Sequence, residues 1–125
     1  MARSILVVDD EPNIVLSLEF LMKQAGYAVR TAYDGEAALE AVRQALPDLV
    51  LLDINMPKLN GYEVCAALRS QAEWNGLRIV MLTAKGRDVE REKGLAMGAD
   101  EYVTKPFATQ EVILKVKELL GDVAA

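Results

Sequence analysis

Three uninterrupted apolar runs, Ile5–Val8, Leu49–Leu52 and Ile79–Leu82, constrain this chain more than anything else in it. A run with no polar position has no face to turn toward water. Each therefore reads as a strand buried on both sides, the place of a central strand in a parallel sheet. Each run also stops abruptly at polar residues: Asp9-Asp10, Asp53 and Thr83.

Segments with helical spacing lie between and after these strands. Ile14, Val15, Leu18, Leu21, Met22 and Ala25 follow Pro12, which suits a first helical turn, and Gly26 closes the element. Asp34-Gly35 opens a second helix with an apolar face of Ala38, Leu39, Val42 and Ala45 or Leu46, stopped by Pro47. Asn60, with Glu63 three residues on, predicts a capped third helix that carries Val64, Ala67 and Leu68. Arg87 to Met97 reads as a fourth helix ended by Gly98, with an internal Gly94 that lowers helical stability by roughly 1 kcal/mol. Thr109 to Leu120 reads as a fifth, with Val112, Ile113, Val116, Leu119 and Leu120 facing inward. Tyr27–Ala32 and Tyr102–Thr104 supply two weaker strands, and Trp74-Asn75-Gly76 reads as a loop. Strands and helices thus alternate as (βα)5. That pattern predicts an α/β fold, a doubly wound, parallel five-stranded sheet with right-handed crossovers and helices on both faces.

Composition narrows the function. A net charge of −5 with no long single-sign run argues against a nucleic-acid-binding surface. No apolar stretch approaches the ~20 residues of a membrane span, and no secretory leader precedes the first strand. The single cysteine, Cys65, makes no internal disulfide, which fits a cytoplasmic protein. There is no histidine at all. Serine–histidine and cysteine–histidine catalysis, histidine-ligated metals and a histidine-borne phosphoryl group are thereby excluded from this chain.

The remaining chemistry collects at the strand ends. In a parallel sheet Asp9, Asp10, Asp53, Thr83 and Lys105 all fall on one edge, where α/β sheets bind ligands. Carboxylates ~4 Å apart repel by on the order of 4 kcal/mol at an effective dielectric of ~20, so such a cluster needs cations. Lys105 is one, and a hard divalent ion such as Mg²⁺ is the other. Each residue has a plainer reading. Asp53 fits a turn, Asp9 and Asp10 fit the positive end of the first helix, Thr83 fits a helix cap and Lys105 a solvated lysine. What favours a site is that all five would have to be incidental together.

Four segments carry a resemblance that covers essentially the whole chain. Leu6-Val7-Val8-Asp9-Asp10-Glu11, Leu51-Leu52-Asp53-Ile54-Asn55-Met56-Pro57, Leu82-Thr83-Ala84 and Thr104-Lys105-Pro106-Phe107 resemble, in order and spacing, the signature segments of bacterial response-regulator receiver domains. The resemblance implies a CheY-like, flavodoxin-like fold with strand order 2-1-3-4-5, and residues 1–125 as a single receiver domain with no output domain. It implies that a sensor histidine kinase or a histidine phosphotransfer protein donates a phosphoryl group to Asp53. It also implies that Asp10, Asp53 and the backbone carbonyl of Asn55 ligate Mg²⁺ (or Mn²⁺), with Asp9 acting through a water. Thr83 and Lys105 would contact the phosphoryl group, Lys105-Pro106 would be a cis peptide, and Thr83 and Tyr102 would form the switch.

The fourth helix, fifth strand and fifth helix carry Arg91, Glu101, Glu111, Lys115 and Lys117. This mixed charge resembles the dimer face of the OmpR/PhoB group, although Glu111 and Lys115 also suit an i,i+4 pair within one helix. A downstream protein or a second copy of the chain is therefore the expected output partner. Two other functions fit less well. A haloacid-dehalogenase-like phosphatase would need a general acid where Asn55 stands. A flavodoxin-like FMN module would need hydroxyl and glycine donors where Asp9-Asp10-Glu11 stand.

Overall fold

The computed structural model describes residues 3–56, 58–84 and 88–122, with side chains left aside at 84 and 88–91. Five strands, β1 (Ser4–Val8), β2 (Ala28–Ala32), β3 (Leu49–Asp53), β4 (Arg78–Ala84) and β5 (Glu101–Lys105), alternate with five helices. These are α1 (Pro12–Gln24), α2 (Gly35–Gln44), α3 (Gly61–Arg69), α4 (Asp88–Ala96) and α5 (Thr109–Leu120). Every strand pair is parallel, and the order is β2-β1-β3-β4-β5. The chain moves outward from β1 to β2 and then returns to β3 on the other side. The switch point between β1 and β3 is where such sheets leave a crevice at the strands' carboxyl ends.

The apolar runs are explained by alternation. Ile5, Val7, Leu49, Leu51, Val80 and Leu82 pack under α1 and α5, meeting Val15, Leu18, Val112 and Val116. Their neighbours Leu6, Val8, Val50, Leu52, Ile79 and Met81 pack on the opposite face with Ala38, Val42, Val64 and Leu68 of α2 and α3. Since successive strand residues serve opposite faces, a sheet covered on both sides needs apolar residues at every position.

Local expectations hold where capping chemistry is explicit. Asp34 accepts the Ala37 N–H at 2.7 Å, and Asn60 and Glu63 form the reciprocal capping box. They shift where tertiary contacts decide. The second helix ends at Gln44, with Ala45 extended and Leu46 exposed, so neither extends the apolar face. The Arg30 guanidinium on β2 donates to the carbonyls of Ala41 and Ala45 and terminates the helix there. The stretch read as a loop around Trp74 begins as a short 3-10 turn over Ala72–Trp74. Gly94 has a packing role: a Cβ there would lie 3.3 Å from Met81 Cγ, so its absence lets α4 approach β4.

One polar tie escapes any periodicity argument. Arg69, at the end of α3, donates to the carbonyls of Gly98 and Leu77 at 2.9 and 2.6 Å, and to Asp100 at 2.8 Å. Asp100 in turn accepts the Ile79 N–H at 2.8 Å. This half-buried pair fixes the end of α4 and the start of β4 to α3. Arg69→Met is expected to cost about 2–4 kcal/mol in urea unfolding, because the Gly98 and Leu77 carbonyls lose this donor and Asp100 is left with the longer contact to Arg78, 3.6 Å.

Candidate phosphoacceptor site

Asp53 is the last residue of β3 and is 3% exposed, packed between β1 and β4. The backbone just after it is held by both β4 and α3. The next amide, Ile54 N–H, donates to Leu82 O of β4 at 3.2 Å, and Gly61 N–H donates to Ile54 O at 2.8 Å. The second of these bonds brings the start of α3 onto the end of β3. A Cβ on Gly61 would lie 2.4 Å from the Asp53 carbonyl oxygen and 2.8 Å from Ile54 Cα. A Cβ on Gly35 would come within 2.6 Å of Leu59 in the same loop. Both glycines are there because helix starts crowd the segment that carries Asp53. The sequence marks them only as turn and helix-opening residues.

Lys105 closes the site from β5. Its Nζ donates to Asp53 Oδ1 at 3.1 Å and to Asp9 Oδ2 at 2.8 Å. Asp9 is fully buried, and its other oxygen accepts the Glu11 N–H at 2.9 Å. Asp9 thus satisfies an amide at the head of α1 with one oxygen and bonds Lys105 with the other. Asp10 is exposed, and its carboxylate oxygen lies with those of Asp9 and Asp53 inside a 4.8 Å set. Thr83 is buried on β4, one residue short of Ala84, which pairs with Lys105. Asn55 is exposed just after β3, and the Lys105–Pro106 peptide is cis. The five residues predicted for the sheet edge do gather there.

The electrostatics leave room for a cation. Burial and then the neighbouring Asp9 carboxylate push the Asp53 pKa up from 3.8 to about 6, and Lys105 and the Asn55 backbone only partly oppose this. Burial pulls the Lys105 ammonium down, but its bonds and charge attraction to Asp9 and Asp53 outweigh that and leave its pKa above the usual value. Counted formally, three carboxylates against one ammonium give the cluster a charge of −2. All-oxygen donors with that charge suit a hard divalent ion such as Mg²⁺.

Two of the residues named for a dimer face, Glu111 and Lys115, lie on α5, and Glu101 lies on β5. Glu111 is exposed, while Lys115 bonds within its own chain, 3.9 Å from Glu101 and 2.8 Å from the Tyr102 carbonyl. The side chain of Arg91 lies outside the described residues.

A (βα)5 parallel sheet thus carries a buried aspartate, two flanking carboxylates and a lysine reaching in from β5 along one edge, and the carboxylate oxygens could hold a divalent ion. Comparison with known proteins makes this specific: residues 5–117 match the response regulator receiver domain family. The chain belongs to that family, and so to two-component signalling. It is 36% identical to a Chloroflexus aurantiacus J-10-fl protein assigned as a response regulator, with a TM-score of 0.94 over 97% of this chain and 99% of that one. Chemotaxis response regulator CheY4 of Vibrio cholerae is 31% identical, with a TM-score of 0.90 over 95% of this chain and 99% of that one. The DrrB receiver domain, in a BeF3-activated structure, is 32% identical, with a TM-score of 0.87 over 97% of this chain and 99% of that one. Receiver domains are phosphoacceptors that bind Mg²⁺ at an acidic pocket and take phosphate from histidine kinases or phosphotransfer proteins. Among the described residues, no helix is long and apolar enough to cross a membrane.

Proposed function

We propose that this chain receives a phosphoryl group on Asp53 from a phosphohistidine of a partner histidine kinase or histidine phosphotransfer protein. The observation that carries this reading is a buried Asp53 carboxylate bonded to Lys105 at 3.1 Å inside a cluster of net negative charge. An Asp53 oxygen forms the new O–P bond as the donor's P–N bond breaks, and the electron pair stays on the imidazole nitrogen. The ionised carboxylate is the nucleophile. With a pKa of about 6, Asp53 is mostly ionised at neutral pH yet more basic than a solvated aspartate.

Asp10, Asp53 and the Asn55 carbonyl would hold Mg²⁺ or Mn²⁺, with Asp9 reaching it through a water. When bound, the ion neutralises charge developing on the phosphoryl oxygens. Lys105, bonded to both Asp9 and Asp53, would follow a phosphoryl oxygen, and the Thr83 hydroxyl would contact it from β4. Product charge of about −1.5 to −2 is then sensed at Thr83 and Tyr102. Output leaves through α4, β5 and α5 to a partner protein or to a second copy of the chain, as in the OmpR/PhoB group.

Incubation with acetyl phosphate and Mg²⁺ should add one phosphoryl group by intact mass, and Asp53→Ala or chelation should abolish it. An adduct that persists in Asp53→Ala would refute the assignment.

A further inference from the structure

Tyr102 sits on β5, an edge strand, and its side chain packs on the sheet face covered by α2, α3 and α4. It pairs in register with Met81, and Thr104, two residues on, pairs with Thr83. Thr83 and Tyr102 therefore project from the same face of adjacent strands, one pleat apart. Helix α5 lies on the opposite face, and Lys115 reaches from it to the open edge. Its Nζ donates to the Tyr102 carbonyl at 2.8 Å and stands 4.7 Å from the centroid of the Tyr102 ring. Glu101, 3.9 Å from the same ammonium, accepts the Tyr102 N–H at 3.1 Å.

One charged pair thus meets the N–H, the C=O and the ring of a single edge residue. Capping an exposed edge would need only the two backbone bonds. The contact with the ring does something more, because a cation over an aromatic face favours one ring position over others. That ring belongs to the residue that neighbours Thr83 at the site.

We propose that Lys115 is a latch on Tyr102, holding the ring at the sheet edge and away from Thr83 until the phosphoryl-bound state releases it. Only the release step rests on the phosphoacceptor reading of Asp53. A contact made in one ring position alone biases the equilibrium between positions, and weakening it must favour any ligand that prefers the other position by the same factor. Release would also free Lys115 and Glu101 to face outward differently, so the state of the site reaches the surface as a rearranged charge pair.

The test uses the intact chain with ¹³C-labelled tyrosine and threonine methyl groups. Lys115→Met removes the cation and keeps an apolar stem; Lys115→Arg keeps the cation. In Lys115→Met, without any phosphoryl mimic, Tyr102 ring contacts to the Thr83 methyl should strengthen. Beryllofluoride with Mg²⁺ should bind about three- to ten-fold tighter. Lys115→Arg should resemble the parent, and in a Tyr102→Leu background Lys115→Met should leave beryllofluoride affinity unchanged. A merely structural role for Lys115 would weaken binding rather than tighten it. Ring contacts unaltered in Lys115→Met would overturn the latch, as would tightening that survives in Tyr102→Leu. If the ring moves but beryllofluoride binds neither protein, the latch stands and the Asp53 reading fails.

Discussion

Replacing Asp53 by Asn is expected to stabilise the metal-free protein at neutral pH by about 3 kcal/mol while abolishing phosphoryl uptake. The magnitude follows from a carboxyl pushed from 3.8 to about 6 by burial and by Asp9. Because the folded pKa is raised, the folded state binds that proton more tightly than the unfolded chain does. The associated stability is fully present below pH 3.8, declines as pH rises through about 6, and is absent above. An amide carries no such penalty and can still accept from Lys105. The advantage of Asp53→Asn should therefore be largest above pH 7, roughly halved at pH 5 and mostly gone near pH 4. Urea unfolding of both proteins across that range gives the comparison. Mg²⁺ should stabilise the parent more than the variant, since it binds a folded cluster that has lost one ligand charge. Equal stabilities at pH 7.5 would mean that Asp53 is solvated or fully compensated, contrary to the geometry.

Gly61→Ala should be the most damaging single methyl in the molecule's functional half. The added carbon would meet the Asp53 carbonyl oxygen at 2.4 Å and Ile54 Cα at 2.8 Å, both backbone atoms with no rotamer to yield. Either α3 backs away from β3 or the peptide that carries Asp53 rotates. The cost should reach about 3 kcal/mol, against which alanine's better helix propensity returns roughly 1 kcal/mol. Phosphoryl uptake should slow as well, because the carboxylate moves with its peptide. Gly76→Ala supplies the control, since nothing lies within 4 Å of its added carbon. It should stay within about 0.5 kcal/mol of the parent. Equal melting of the two variants would show that the β3–α3 junction has slack.

The sheet was legible because burial on both faces leaves an unmistakable apolar run. Leu49–Leu52 could hardly be anything other than a central strand, and this fixed where Asp53 had to lie. The cluster was legible for a related reason: a parallel sheet maps strand ends to one edge, so Asp9, Asp53 and Lys105 become neighbours despite their distance in sequence. What stayed hidden depends on contacts that no period records. Arg69 reads as an ordinary charge at the end of a helix, yet it ties α3 to Gly98 and Asp100. Gly61 merely follows the predicted cap Asn60 in the sequence, and only the approach of α3 to β3 reveals why a side chain is excluded. Leu46 looked like the last apolar position of α2, but Arg30 and Pro47 ended the helix before it. Lys115 and Glu101 resemble charges of a dimer face, and no period records that they lie 3.9 Å apart within this chain.

The central claim is that Asp53 itself forms the bond to phosphorus. Borohydride reduces an aspartyl phosphate to homoserine and leaves free aspartates untouched, so it records the acceptor permanently. After acetyl phosphate and Mg²⁺ treatment, reduction and peptide sequencing by mass spectrometry should find homoserine at position 53, with Asp9 and Asp10 unchanged. Homoserine at either of those positions, or at none under conditions that label the chain, would contradict the account.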